Sequence, residues 1–357
     1  MSAVNATNLT STTARADGPA GARSPAELLR WSQDTVRPSL RAAVDTLPRP
    51  VRDIAGYHLG WLDEHGTPTD AGAGKAVRPA LALLAAQAVG GEQRVAVPAA
   101  VAVELAHNFS LLHDDVMDGD ETRRHRPTAW AVFGAGPAIL AGDALLTLAL
   151  DVLGAAGGPA TRSMRMLATA VQELVRGQAD DLAFERRDGV TLDECRRMAE
   201  GKTGALMGCA AALGALAGGG SLEQIRLLRG FGEHLGLAFQ FVDDLLGIWG
   251  DPALTGKPVY SDLRSRKKSL PVVATLRSSS GPGRALTALY AREQPLTDGE
   301  LRRAADLIDE AGARDWSQAS ADDLLERALG QLGAAGPAPR AAAELTTLAG
   351  LITRRDR

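Results

Sequence analysis

Residues 107–118 read His107-Asn108-Phe109-Ser110-Leu111-Leu112-His113-Asp114-Asp115-Val116-Met117-Asp118, and the next loop carries Arg123-Arg124-His125-Arg126-Pro127-Thr128. Residues at i, i+4, i+7 and i+11 share a helix face. His107, Leu111, Asp114 and Asp118 therefore form one stripe, with Asp115 beside it. Three carboxylates so close repel one another, and at a helix C-terminus the macrodipole adds to the cost. A structural helix end has little use for that arrangement, whereas a divalent-cation site does, because the ion neutralises the cluster. Mg²⁺ prefers oxygen and is shared between carboxylates and substrate phosphates. Arginine forks bind phosphate oxygens bidentately. Carboxylates for a metal followed by arginines for phosphate describe a diphosphate site.

A second cluster follows. Gln240, Asp243, Asp244 and Gly247 fall at i, i+3, i+4 and i+7 on a stretch otherwise made of Phe239, Phe241, Val242, Leu245 and Leu246. Two carboxylates on a mostly buried helix are expensive unless paired or metal-bound. Lys257, Asp262, Lys267 and Lys268 lie in the loop beyond. Two such helices facing each other across a bundle would hold metals between them, and bundle cores are where such sites are built.

The surrounding chain favours helix. Its 357 residues are rich in Ala and Leu, with aromatics at only 4%, a balance that suits helix over sheet. Ser24-Pro25-Ala26-Glu27, Thr191 to Glu194 and Thr297 to Glu300 have the capping-box pattern that starts helices. Apolar residues between them recur at three and four, and neither a β-hairpin signal nor a fixed internal repeat is evident. Polar stretches at residues 119–128 and 251–269 each follow an aspartate pair. A net charge of −4 creates no global field for nucleic acid or acidic membrane. Cys195 and Cys209 lie far from other metal-binding residues and read as reduced thiols of a cytoplasmic protein. The longest uncharged run, residues 203–222, reads as a buried core helix, so no membrane span is expected. Residues 1–23 lack an apolar signal segment and read as a disordered tail before a domain over 24–357.

In sum of motifs the chain resembles the trans-isoprenyl diphosphate synthase (polyprenyl synthetase) family, from about Leu28 onward. Asp114 to Asp118 followed by Arg123-Arg124 resembles the family's first aspartate-rich motif, and Phe239 to Asp244 the second. Gly74-Lys75-Ala76-Val77-Arg78-Pro79, Gly177-Gln178, Lys202-Thr203, Gly256-Lys257-Pro258 and Ser261-Asp262-Leu263 match in order. The resemblance implies an all-α, single-domain helical bundle with a central cavity, working as a homodimer. It implies that Asp114, Asp115, Asp118 and Asp243 hold three Mg²⁺ ions on an allylic diphosphate, with Asp244 helping through water. Arg123, Lys202 and Lys257 would contact that diphosphate, and Lys75, Arg78, His107 and Arg124 would bind isopentenyl diphosphate. Thr203 and Gln240 would line the reacting carbons. Gly247 stands where many members carry a third aspartate; the change is expected to weaken an outer contact and spare activity.

The same resemblance places the chain-length positions at Phe109 and Ser110, with an aromatic floor and a small neighbour, as in synthases making the C20 geranylgeranyl diphosphate. A C15 farnesyl product is the nearest alternative. A class I terpene cyclase shares the aspartate logic but lacks a second diphosphate site. A non-catalytic subunit of a heteromeric synthase would tend to lose aspartates that this chain keeps.

Overall fold

A computed structural model describes residues 22–69, 71, 74–252 and 258–353. The chain runs through α1 (Pro25–Val44), α2 (Arg49–His58), α3 (Val77–Ala88) and α4 (Val97–Asp118). A two-stranded hairpin, β1 (Thr122–Arg123) with β2 (Arg126–Pro127), leads into α5 (Ala129–Phe133), α6 (Ala135–Ala155) and α7 (Ala160–Glu185). Then come α8 (Leu192–Ala199), α9 (Ala205–Ala217) and α10 (Leu222–Trp249). The C-terminal part holds α11 (Ser261–Arg264), α12 (Leu270–Arg277), α13 (Gly281–Tyr290), α14 (Asp298–Glu310), α15 (Ala313–Ala334) and α16 (Pro339–Thr353).

The three capping boxes read from the sequence form at the starts of α1, α8 and α14, where Glu27, Glu194 and Glu300 reach back to their cap residues. A fourth, Ser221 with Gln224, starts α10. The hairpin departs from the sequence reading. Its strands are two residues long and have no apolar alternation, so neither of the usual signals was there to see.

α10 packs between α9 and α15, and α3 packs against α9 and α4. α9 is almost all Ala, Gly and Leu, so backbones approach closely: a Cβ at Gly214 would overlap the carbonyl of Ala82 on α3. The principal core runs through α1 to α10 and takes in parts of α15 and α16, with smaller clusters around α8 and α12 and around α13 and α14. Of the uncharged run 203–222, residues 203–217 are mostly buried, but the helix ends at Ala217 and the run finishes in a turn and the exposed Leu222 at the start of α10.

Two segments, Gln93–Asp118 and Ala135–Ala155, are long and apolar enough to cross a membrane by length and composition, which the sequence reading did not register. In the first, 72% of the apolar window is buried inside the protein, against 39% in the second. α6 therefore keeps an outward apolar face, with Ile139 and Leu140 exposed.

The first described residues are tied to α16. Arg23, placed in the tail by sequence, donates from its backbone N–H and from Nη1 to Glu344 of α16 at 3.1 and 2.7 Å. Its guanidinium also lies 3.9 Å from the centre of the Trp31 ring.

Candidate active site

α4 ends where Gly119 adopts a left-handed conformation (φ 67°). The hairpin beyond turns at Arg124 and His125, both left-handed at φ 52° and 62°. Two consecutive positive φ values give a tight turn compatible with strand twist, here without the glycine or asparagine that usually relieves it. Arg126 anchors the hairpin on α2: it donates to the carbonyls of Tyr57 (3.3 Å) and Leu62 (3.1 Å) and covers the Tyr57 ring. Arg123 donates to Asp115 Oδ1 from Nε, at 2.7 Å. The turn thus presents Arg124 to a cavity of about 520 Å³, whose lining includes Lys75, Arg78, His107, Arg123, Arg124 and Asp243. The four residues that the resemblance assigned to isopentenyl diphosphate meet there from three separate segments, together with Arg123 of the three assigned to the allylic diphosphate.

The Lys75 segment is positioned from α1. Gln33 donates to the Gly74 carbonyl (2.8 Å) and the buried Ser32 hydroxyl to that of Ala76 (3.1 Å). Ala76 is left-handed at φ 49° immediately before α3 begins. His107 is held well below the ordinary histidine range, first by burial and then by Arg78, Arg124 and Arg123. Glu104, on the same cavity wall, is pushed up by burial, with Arg78 opposing.

The aspartates divide by partner. Among the described residues, Asp114, Asp118 and Asp243 make no side-chain hydrogen bond or ion pair, and the buried Oδ2 of Asp115 has no hydrogen-bond partner. Burial pushes the Asp114 carboxyl up to about 6, with Lys202 opposing and Asp118 adding to the rise. Asp115 and Asp118 are raised for the same first cause. Asp244 differs: Oδ1 accepts from the Gln240 amide and Oδ2 from the Leu270 N–H, each at 2.8 Å. It is pushed up to about 7, chiefly by burial. Each of its oxygens thus has one protein donor and acceptor capacity left. Among the described residues no three acidic, His or Cys side chains converge tightly enough to hold an ion alone. Open carboxylates of this kind suit Mg²⁺, which keeps waters and completes its shell with substrate phosphate.

Lys202 and Thr203 lie in a π turn, Glu200–Gly204, between α8 and α9. Such turns mark functional sites disproportionately. This one packs tightly on α7: a Cβ at Gly177 would lie 2.8 Å from the Met198 carbonyl and would strike the Lys202 nitrogen, which accounts for the glycine of the Gly177-Gln178 motif. Lys202 Nζ lies 2.7 Å from Asp181 Oδ2. The Thr203 hydroxyl donates to Gln240 Oε1 at 2.7 Å, so a hydrogen-bonded chain runs from the π turn through Gln240 and Asp244 to the start of α12. Phe109 is buried and packs edge-on against His113, with ring centroids 5.0 Å apart. His113 in turn bonds to the Ile139 carbonyl of α6 (3.0 Å). Ser110 is buried on the aspartate side and bonds to the His107 carbonyl. Lys257 lies outside the described residues.

Sequence reasoning missed Asp181 and left Lys267 without a role. Asp181 sits three residues after Gln178 on α7, a helical spacing that could have drawn notice. Lys267 is half-buried; desolvation pulls its ammonium down, but Asp262, Asp244, Asp181 and Asp243 together outweigh that and raise it. It also lowers the Asp118 carboxyl, so its charge reaches both clusters.

The site combines cations at one cavity with open carboxylates on α4 and α10. The Polyprenyl synthetase family model matches residues 61–308. The chain is 49% identical over 333 residues to the (2E,6E)-farnesyl diphosphate synthase of Mycobacterium tuberculosis, covering 92% of this chain and 93% of that one. It is 45% identical over 331 residues to the geranylgeranyl diphosphate synthase of the same organism, at the same coverage. The crystal structure of a polyprenyl synthetase from Streptomyces coelicolor A3(2) superposes with a TM-score of 0.88 at 48% identity, covering 91% of this chain and 98% of that one. The chain belongs to the polyprenyl synthetase family. Within that class of all-α prenyltransferases it is a prenyl diphosphate synthase.

Proposed function

We propose that this enzyme joins isopentenyl diphosphate head-to-tail to an allylic diphosphate in a Mg²⁺-dependent reaction, with the C20 geranylgeranyl diphosphate as its main product. The observation that carries the two-substrate reading is the convergence of Lys75, Arg78, His107 and Arg124 on one cavity, whose wall includes the open carboxylate of Asp243.

Asp114, Asp118 and Asp243 offer oxygen to Mg²⁺, and the orphaned Oδ2 of Asp115 adds another. When bound, the metal acts as a Lewis acid that neutralises the allylic diphosphate. Lys202, Lys257 and Arg123 supply fixed positive charge where negative charge develops as the allylic C–O bond breaks. That bond's electron pair leaves with the diphosphate. Lys75, Arg78 and Arg124 hold the second diphosphate, so that the double bond of isopentenyl diphosphate lies beside the allylic carbon and forms the new C–C bond. His107, kept neutral by burial and the arginines, serves there as a hydrogen-bonding group. Thr203 and Gln240 line the reacting carbons, and Asp244 orients Gln240. Leu111 and Phe239 keep water from the allylic cation. The departing diphosphate takes the proton lost from the new chain, since the carboxylates are committed elsewhere.

C20 is supported by Ser110, a small side chain on the aspartate face, and by Phe109, which turns toward α6 and leaves more depth than a ring on that face would. The second reading, C15, is favoured by the farnesyl synthase named above. Homodimerisation in the cytoplasm completes the proposal, with the outward apolar face of α6 as the surface a second copy would cover. The test is to incubate the protein with Mg²⁺, isopentenyl diphosphate and C5, C10 or C15 allylic diphosphate and to weigh the products. Hydrocarbon formed from the allylic diphosphate alone would overturn condensation; a C15 end product would overturn only the length.

A further inference from the structure

Gly74-Lys75-Ala76 lines the cavity as irregular backbone just before α3. It ends in Ala76, whose φ of 49° and ψ of 38° are left-handed. An alanine there brings Cβ close to a carbonyl oxygen and keeps that conformation only where neighbouring groups over-determine it. α1 supplies those groups from behind. The fully buried Ser32 donates its hydroxyl to the Ala76 carbonyl, and the Gln33 amide donates to that of Gly74. The two donors are adjacent in sequence and grip alternate carbonyls, with Lys75 between them. No residue of α1 lines the cavity, so neither donor belongs to the substrate-facing wall.

The hairpin lies against the same segment. A Cβ at Gly74 would stand 2.7 Å from Arg124 Nη2 and 3.2 Å from its Cζ. The guanidinium therefore rests on Gly74 in space that any side chain there would take. Arg124 is itself left-handed at φ 52°, so strained turns from two segments meet at this glycine.

We propose that Ser32 and Gln33 are positioning residues for the isopentenyl diphosphate subsite. By gripping the carbonyls on either side of Lys75 they hold Ala76 left-handed and keep Gly74 against Arg124. Lys75 and Arg124, from separate segments, are thereby presented as one ordered pair before substrate arrives, and binding need not order them. Affinity for isopentenyl diphosphate is then set in part by a helix that does not meet it. The inference rests on the proposed two-substrate condensation, with the second diphosphate in this cavity.

The test is steady-state kinetics with each substrate varied in turn at saturating Mg²⁺, and thermal melts of each protein in parallel. Gln33→Leu keeps the side chain's bulk and removes one donor; Ser32→Ala removes the other. Loss of one such hydrogen bond is expected to raise KM for isopentenyl diphosphate about 3- to 10-fold, with little change in kcat or in KM for the allylic diphosphate. Gly74→Ala should give the same split, because its methyl displaces Arg124. Adding Ala76→Gly to Gln33→Leu should recover part of the loss, since glycine enters the left-handed region without steric cost. An unchanged isopentenyl diphosphate KM in Gln33→Leu, or equal rises for both substrates, overturns the proposal. So does a further rise on adding Ala76→Gly. A change confined to the melts also overturns it, by making the α1 contacts only structural. Failure of the wild type to condense isopentenyl diphosphate would instead defeat the proposed function.

Discussion

Arg123 brings both Nε and Nη2 to a single oxygen of Asp115, Oδ1, at 2.7 and 2.6 Å. The Asp115 side chain is almost wholly buried, and its other oxygen has no hydrogen-bond partner among the described residues. Asp115 thus faces two ways: one oxygen fixes an arginine and the other remains to be satisfied. Hydrogen bonds to charged groups contribute about 1.5–3 kcal/mol. Asp115→Ala should therefore lower stability by about 2 kcal/mol in a denaturant titration and reduce turnover by releasing Arg123. An unchanged unfolding midpoint would count against that anchoring role.

Asp114 and Asp243 have no such structural commitment. Replacing either with Asn should leave the melting temperature near wild type: Asp243 is exposed, and at the desolvated Asp114 a costly charge goes. Turnover should fall by about 10²–10³-fold or more, the scale of losing one electrostatic element of a transition state. Steady-state assays across Mg²⁺ concentrations would show this, and full turnover in Asp114→Asn would remove it from the metal set.

Lys75→Ala separates the two substrates. A charge-assisted contact to phosphate contributes about 1.5–3 kcal/mol, so KM for isopentenyl diphosphate should rise about 10- to 100-fold. KM for the allylic diphosphate should change little. Equal losses for both substrates would contradict the two-site reading.

Acid should destabilise the protein through its buried histidines. Burial, with Arg124 and Arg123 adding, lowers His58 to about 3 from its usual 6.5. Above 6.5 both folded and unfolded states are neutral and His58 contributes nothing. As pH falls below 6.5 the unfolded chain takes up a proton that the folded state refuses until about 3. Stability is therefore lost over that window, by about 1.4 kcal/mol per pH unit for one such group. His58→Gln should show a shallower decline in melting temperature between pH 6.5 and 5 than wild type; an identical slope would mean that His58 charges freely in the folded protein.

Product length should respond to Ser110 more than to Phe109. Ser110→Phe puts a ring on the aspartate face and should shift products from C20 toward C15. Phe109→Ala, on the side packed against His113, should lengthen products less. Mass analysis decides, and a large shift from Phe109→Ala alone would return the floor to that ring.

Much of this site was legible in sequence because helices convert spacing into position. The stripe of His107, Leu111, Asp114 and Asp118 needed only the α-helical period, and three capping boxes fixed where helices start. What could not be read depends on contacts between segments. The hairpin is anchored by Arg126 on carbonyls of residues 57 and 62, a tertiary cause with no local signature. The Asp181–Lys202 pair joins α7 to a π turn, and no propensity predicts one extra residue in a helical turn. Gly247 read as a missing group, because a sequence cannot show that Asp262, fifteen positions later, lies where a Cβ at 247 would stand.

The π turn over Glu200–Gly204 has a consequence for how such a gene can decay. It amounts to one residue more than a regular helix would use between α8 and α9. Losing a single codon there would let the segment re-form as ordinary helix, still capped at Thr191 and still able to bury α9. The flanking helices would keep their register, because the turn had absorbed the extra residue, but the widened turn that sets Lys202 and Thr203 against Asp181 and Gln240 would be gone. A duplicated copy could thus fall silent as an enzyme in one small genetic step while remaining a folded protein free to acquire another use.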